Sequence, residues 1–314
     1  MMMSPELLLL TGGVGSRFWQ VLFEPWTQGI MQHALTEVAL LGLVGGALGC
    51  WIVLYELSYS AESLAHALFP GLVIAALSGL PLMLGAGLGI TVAAVAIALF
   101  GQVPGIGRDT AVAVIVSTLF GLGVVLALSP ASPPGLQGLL FGDILGVSDL
   151  DLILAMGLVA VTLISLRLLH PQLLTVGFDR STARSIGGNP RRADVALLVL
   201  LALATLVAVQ GLGSLLVVAV LVGPAATARL LARRLTPMMV VATLLSFLAG
   251  IGGLYLSYYA GIAAGASVAG AIVALYLIVL GGSKIRGLDR RRNPLRANPR
   301  LPETVRTLPP VDAP

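Results

Sequence analysis

Glu62 and His66 stand four residues apart in the stretch Ala-Glu-Ser-Leu-Ala-His-Ala-Leu-Phe-Pro-Gly, within an otherwise apolar run. On a helix this spacing sets both side chains on one face, with Cβ atoms about 5–6 Å apart. A carboxylate oxygen beside an imidazole nitrogen suits Mn, Fe(II) or Zn, and suits Mg or Ca less well. The same spacing also fits a local Glu–His hydrogen bond near a helix start, where the carboxylate complements the positive helix end. Pro70 and Gly71 follow within a turn and are expected to interrupt the helix. Interrupted helices are how many transporters turn backbone groups toward a substrate. Pro224, inside another apolar run, is a second expected helix break.

Ionisable groups inside a membrane span are costly, which makes each a functional candidate by default. Asp109, after Arg108 at the start of an apolar run, joins the set, although an acid at a helix N-terminus paired with its neighbour is the simpler reading. Asp143, in Leu-Leu-Phe-Gly-Asp-Ile-Leu, either lines a pathway or caps a short helix. Glu37 and Glu56 fall near the ends of the first span, within reach of headgroups. Asp149 and Asp151 open a span on the outer side, Asp179 and Asp194 fall in a loop, and His33 and His170 flank spans.

The elements that must position these residues belong in lipid. Of 314 residues 57% are hydrophobic and only 10% charged, where a soluble domain carries about a quarter charged. The apolar runs are long and unbroken, unlike the alternating segments of a β-barrel. At roughly 20 apolar residues per crossing, candidate spans lie near 35–55, 62–79, 82–102, 110–129, 150–169, 194–210, 212–230, 238–259 and 264–281. The segment near 135–148 is apolar but too short to span. The expected fold class is an all-α integral membrane protein, a polytopic bundle of about eight to ten transmembrane helices. Gly42 with Gly46, Gly45 with Gly49 and Gly85 with Gly89 read either as close helix crossings or as the ordinary abundance of Gly in membrane helices.

Arginine placement sets the orientation. Arg180, Arg184, Arg191 and Arg192 share one loop, Arg229, Arg233 and Arg234 another, and the tail after Lys284 is Arg-rich. These three regions are expected in the cytoplasm, and the uncharged connections near 211 and 260 outside. Residues 1–30, with Trp19 and Trp26, read as an interfacial segment whose side stays open. Residues 31–283 form the membrane domain, with a cytoplasmic loop at about 171–192. Residues 284–314, basic and Pro-containing, read as a disordered cytoplasmic tail drawn to anionic lipid.

Several chemistries are excluded. Cys50 is the single cysteine, so neither an internal disulfide nor a Cys-rich metal site forms. The single lysine, Lys284, follows Ser283, so no Gly-Lys-[Ser/Thr] phosphate loop is present. ATP-driven work would need a separate subunit. No His-Glu-x-x-His or Gly-x-Ser-x-Gly motif occurs, which leaves a membrane-embedded hydrolase without its usual signatures.

Four stretches, in order, resemble one family. They are Phe23-Glu24-Pro25 with Met31-Gln32-His33-Ala34-Leu35; Gly45 to Leu54 followed by Glu62 to Gly71; Arg108-Asp109-Thr110-Ala111 with Leu140-Phe141-Gly142-Asp143-Ile144-Leu145; and Phe178-Asp179, Ala183 and Gly187 with Val222 to Arg229. Over roughly residues 23–283 the chain is similar to the ABC-3 type integral membrane permeases of manganese, zinc and iron importers. It departs from the family in Glu62 for the usual Asp, Ala65 for the usual Ser, and Tyr55-Glu56 for a basic pair. The resemblance implies an inner-membrane permease homodimer with two cytoplasmic ATPase subunits and an extracytoplasmic metal-binding protein. It implies no resident cofactor and no nucleic acid partner. It also implies Glu62 and His66 as ligands of the transported metal, and Phe178, Asp179, Ala183, Arg184 and Gly187 as part of a short helix that docks on the ATPase. Two other functions stay open on sequence: a cobalamin- or siderophore-type importer permease, whose wide apolar pathway would lack the pair, and an ion-coupled carrier using Glu62, Asp109 and Asp143 as a proton relay.

Overall fold

In lipid a long apolar segment satisfies its backbone groups only by hydrogen bonding within itself, so runs like these fold as helices. The computed structural model describes residues 23–101, 103, 107–129, 144–213 and 216–292, and all regular structure among them is helical. A 3₁₀ turn at Glu24–Thr27 leads into α1 (Gly29–Leu54). The next helices are α2 (Ser58–Ala67), α3 (Phe69–Ser78), α4 (Leu82–Phe100), α5 (Arg108–Ala127) and α6 (Asp149–Phe178). They are followed by α7 (Arg180–Ser185), α8 (Pro190–Leu212), α9 (Val217–Leu231), α10 (Leu235–Ala260) and α11 (Ala264–Arg292). Trp19, Asp143, most of the 135–148 segment and the tail beyond Arg292 lie outside the described residues.

Three expectations change. Pro224 does not break its helix, because α9 is continuous through it. α6 runs past Pro171 to Phe178, held by Leu173 and Val176, which are buried in the core. α11 continues past Lys284 to Arg292. No proline intervenes before Pro294.

The two ends of the bundle are identified by contacts. At one end Arg229 donates to the Val53 carbonyl at 3.3 Å, the Tyr55 hydroxyl donates to the Leu173 carbonyl at 2.7 Å, and Arg108 meets Asp194 at 3.0 Å. This end carries the arginines and is the cytoplasmic end by the charge expectation. At the other end His33 meets Asp149 at 3.2 Å, and Trp26 donates to the Tyr255 hydroxyl at 2.7 Å. Trp26 and Tyr255 sit edge to face, and Gln28 donates to Tyr258, an aromatic girdle of the kind found at membrane interfaces. The Glu24–Thr27 turn is therefore at the end opposite the arginines. Eight helices among the described residues are long and apolar enough to cross, counting α2 and α3 as one, and the shorter apolar α9 runs between the two ends.

α1 is the central helix, and glycine lets it be so. A Cβ on Gly45 would stand 2.7 Å from the Val220 carbonyl oxygen of α9, and one on Gly49 would be 3.1 Å from the Ala225 Cβ. Gly42 and Gly46 face Ser246 and Thr243 of α10 in the same way, and Gly85 and Gly89 face Gly71 across the α3–α4 crossing. The three Gly-x-x-x-Gly pairs are all contact seams. Such close backbone approach matters in lipid, where van der Waals packing replaces the hydrophobic effect between helices.

Candidate functional site

α2 begins at Ser58 on the cytoplasmic side and ends at Ala67; Leu68 links it to α3, with Pro70 in the first turn of the new helix. The span is thus divided just before Pro70, and Gly71 is used to press α3 against α4. Ala61, Ser63, Leu64 and Ala65 are buried against the bundle, whereas Glu62 is exposed and His66 half-buried. The pair therefore lies on the face of α2 that the rest of this protomer leaves uncovered. The His66 ring sits edge-on to Phe120 of α5 at 5.8 Å, and Phe120 also touches Phe69 at 5.6 Å. No hydrogen bond or ion pair joins Glu62 to His66 among the described contacts, so the pair is not consumed by a local bond.

No group of three His, Cys, Asp or Glu side chains is gathered for a metal ion among the described residues. Asp109 is on the first turn of α5, eleven residues before Phe120. At 1.5 Å per residue that sets it about 16 Å along the axis from the level of His66. It lines the cytoplasmic cavity instead, and its neighbour Arg108 turns to Asp194 rather than to it. Asp143 lies outside the described residues.

The cavity opens at the cytoplasmic end with a volume of about 1430 Å³, lined by the end of α1, the starts of α5 and α8, and α7. α7 is a short helix built from its own caps. Asp179 accepts hydrogen bonds from the Ser181 backbone N–H at 2.8 Å and from the Ser181 hydroxyl at 2.7 Å. These and the matching bonds from Thr182 hold the Asp179 carboxyl well below the usual carboxylate range. Gly187, at φ +81°, turns the chain out of α7 in a conformation that glycine adopts without strain. Asn189 then caps α8 by accepting from the Arg192 N–H at 3.2 Å, with Pro190 at the first helical positions. Ala183 is buried beneath α7, Arg184 is exposed, and Phe178 and Ile186 stand 76% and 68% exposed at its two ends. Two large apolar side chains thus stand exposed beside the cavity.

Sequence reading missed two acids. Asp194, expected in a loop, is inside α8 and only 5% exposed. It receives both terminal nitrogens of Arg180 at 2.9 Å and Arg108 at 3.0 Å, which ties α5, α7 and α8 together. The Arg180 guanidinium also lies over the Tyr55 ring at 5.8 Å. The available signal was an acid near the start of a span among arginines, which lipid tolerates only when paired. Glu37, expected near headgroups, is 1% exposed in the interior of the outer half of the bundle.

The sequence profile of the ABC 3 transport family matches residues 27–282, and so covers α1 to most of α11. The chain belongs to the ABC 3 transport family. It is 32% identical over 251 residues to the manganese import system permease protein ScaB of Streptococcus gordonii, covering 79% of this chain and 89% of that one. It is 33% identical over 261 residues to the chelated iron transport system membrane protein YfeC of Yersinia pestis, covering 83% and 87%. Among solved structures it resembles PsaBC from Streptococcus pneumoniae, determined in complex with Fab, with a TM-score of 0.74, 32% identity, and coverage of 83% of this chain and 95% of that chain. This family member is a multi-pass inner-membrane permease.

Proposed function

We propose that this ABC 3 permease carries a divalent transition metal ion, manganese, iron or zinc, into the cytoplasm, and that Glu62 and His66 hold the ion as it crosses. The observation that carries this reading is the placement of the pair: within a divided span, on the one face of α2 that its own bundle leaves uncovered. One protomer offers two ligands, fewer than any of these ions takes. Two protomers meeting across this face would supply two carboxylates and two imidazoles. The pathway is then incomplete without a second copy of the chain. A proton relay of Glu62 with Asp109 fits less well, because Asp109 is on a different helix, in the first turn of α5, where it lines the cavity.

The energy source in this reading is a separate cytoplasmic ATPase, since Lys284 and its surroundings offer no phosphate loop. The ATPase docks on α7, where Phe178 and Ile186 provide apolar anchors and Asp179, Ala183, Arg184 and Gly187 fix the shape. An extracytoplasmic metal-binding protein delivers the ion to the outer end. Growth of a metal-importer deletion strain, rescued by this chain with its ATPase over graded Mn, Fe and Zn, tests the assignment. Rescue confined to scarce metal supports it, and failure under all three metals overturns it.

A further inference from the structure

The outer end of α1 repeats the residue chemistry of Glu62 and His66 in reverse order. His33 and Glu37 are four residues apart on one face, one turn apart in depth. His33 is at the rim: its Nε2 is 3.2 Å from the Asp149 Oδ1 and its Nδ1 3.3 Å from the Val147 carbonyl oxygen. Glu37 is one turn inward, with both carboxylate oxygens buried and without a hydrogen-bond partner. Its side chain lies against Gly211 of α8, where an added Cβ would stand 3.2 Å from Glu37 Cγ and 3.4 Å from Oε1. Ile144, also in contact there, and Val147 are buried, so the 144–149 segment passes over the carboxylate and ends at the His33–Asp149 pair. The Asp151 carboxylate, in the first turn of α6, acts on Glu37 electrostatically.

A dry carboxylate without a partner is expensive unless it takes a proton or a cation reaches it. Two ligands bound cis to one first-row metal ion at about 2.0–2.2 Å from it stand roughly 3–3.5 Å apart, the separation of His33 Nε2 and Asp149 Oδ1. We infer that His33 and Asp149 form an extracytoplasmic reception site for a divalent transition metal ion, and that Glu37 is the next station inward. No three of these side chains meet in one shell here, so water fills the remaining positions and the site binds weakly. A first site that must release its ion forward gains from that weakness. The Asp149 side chain is 86% exposed and that of His33 38%, so the rim is open to an ion arriving from outside.

The inference rests on the proposed metal pathway, and its test separates the two. The full-length protein in nanodiscs is titrated with Co²⁺, read by visible absorption, and with Mn²⁺, read by paramagnetic resonance. Glu62→Gln/His66→Ala protein, lacking the central pair, should still bind a weak ion, and adding His33→Ala or Asp149→Asn should weaken that binding at least about tenfold. Absence of binding in the double variant, or binding unchanged by His33→Ala, overturns the reception site and leaves the central pair untouched. Glu37→Gln, which keeps shape and volume, should raise the apparent KM for uptake about tenfold with the maximal rate within about twofold. An unchanged KM in well-inserted protein removes Glu37 from the route.

Discussion

Asp194→Ala removes the carboxylate that holds Arg108 and Arg180 together at the cytoplasmic end. Taking one partner from a fully buried ion pair costs about 3–5 kcal/mol, because the other charge is left without compensation. Here the Asp194 side chain is 7% exposed, but that of Arg108 is 25% and that of Arg180 45% exposed. Both guanidinium groups can therefore rehydrate, which lowers the expected loss to about 2–3 kcal/mol. Unfolding of the purified permease in mixed micelles, followed by helix content, measures it. A cycle with Arg180→Ala isolates the pair, since residues in one network are not additive. The α7 helix is held through Arg180, so coupled ATP hydrolysis in the assembled complex should fall with membrane insertion intact. Stability within about 0.5 kcal/mol of wild type, as for a surface change, together with additive single variants, would refute the clamp.

Phe178→Ala/Ile186→Ala should abolish co-purification of the ATPase, since exposed apolar anchors carry most of such contacts; retained binding would move the docking surface elsewhere. Asp179→Ala/Arg184→Ala should insert normally but uncouple ATP hydrolysis from uptake. The lowered Asp179 carboxyl supports α7 at any pH above the unfolded value of about 3.9, and that support fades only as pH falls through the still lower folded value. ATPase docking should therefore be independent of Asp179 titration from about pH 8 to pH 5, and a midpoint in that window abolished by Asp179→Asn would contradict the cap. Gly85→Val should lower stability by about 1–3 kcal/mol, the cost of overpacking, because its Cβ meets the Gly71 backbone across the α3–α4 crossing; unchanged thermal stability would show that the crossing is loose.

Much of the bundle was legible because lipid leaves few choices. Runs of about 20 apolar residues have to be helices, and clustered arginines have to face the cytoplasm. The spacing of Glu62 and His66 was legible for the same reason, and the structure sets the two one turn apart on the exposed face of α2. Asp194 and Glu37 were not. Whether an acid at a span end reaches water depends on what packs over it, and Arg108 and Ile144 are remote in sequence from the acids they cover. Helix ends were misjudged where packing overrode local signals: Leu173 and Val176 carry α6 beyond Pro171, and α9 absorbs Pro224 within a helix that is packed against α1 and α10.

The central claim is that Glu62 and His66 hold the ion in transit, and uptake of radioactive manganese by cells expressing the permease with its ATPase tests it most directly. A dehydrating divalent ion needs negative ligands, and a protonated imidazole cannot ligate it. His66→Ala should abolish uptake, and Glu62→Gln, which keeps shape but loses charge, should be nearly as severe. Glu62→Asp should retain transport, with an altered preference among Mn, Fe and Zn. Membrane levels of each variant are measured alongside, so that loss of protein is not mistaken for loss of transport. His66→Ala protein present at wild-type level and transporting at the wild-type rate would contradict the account.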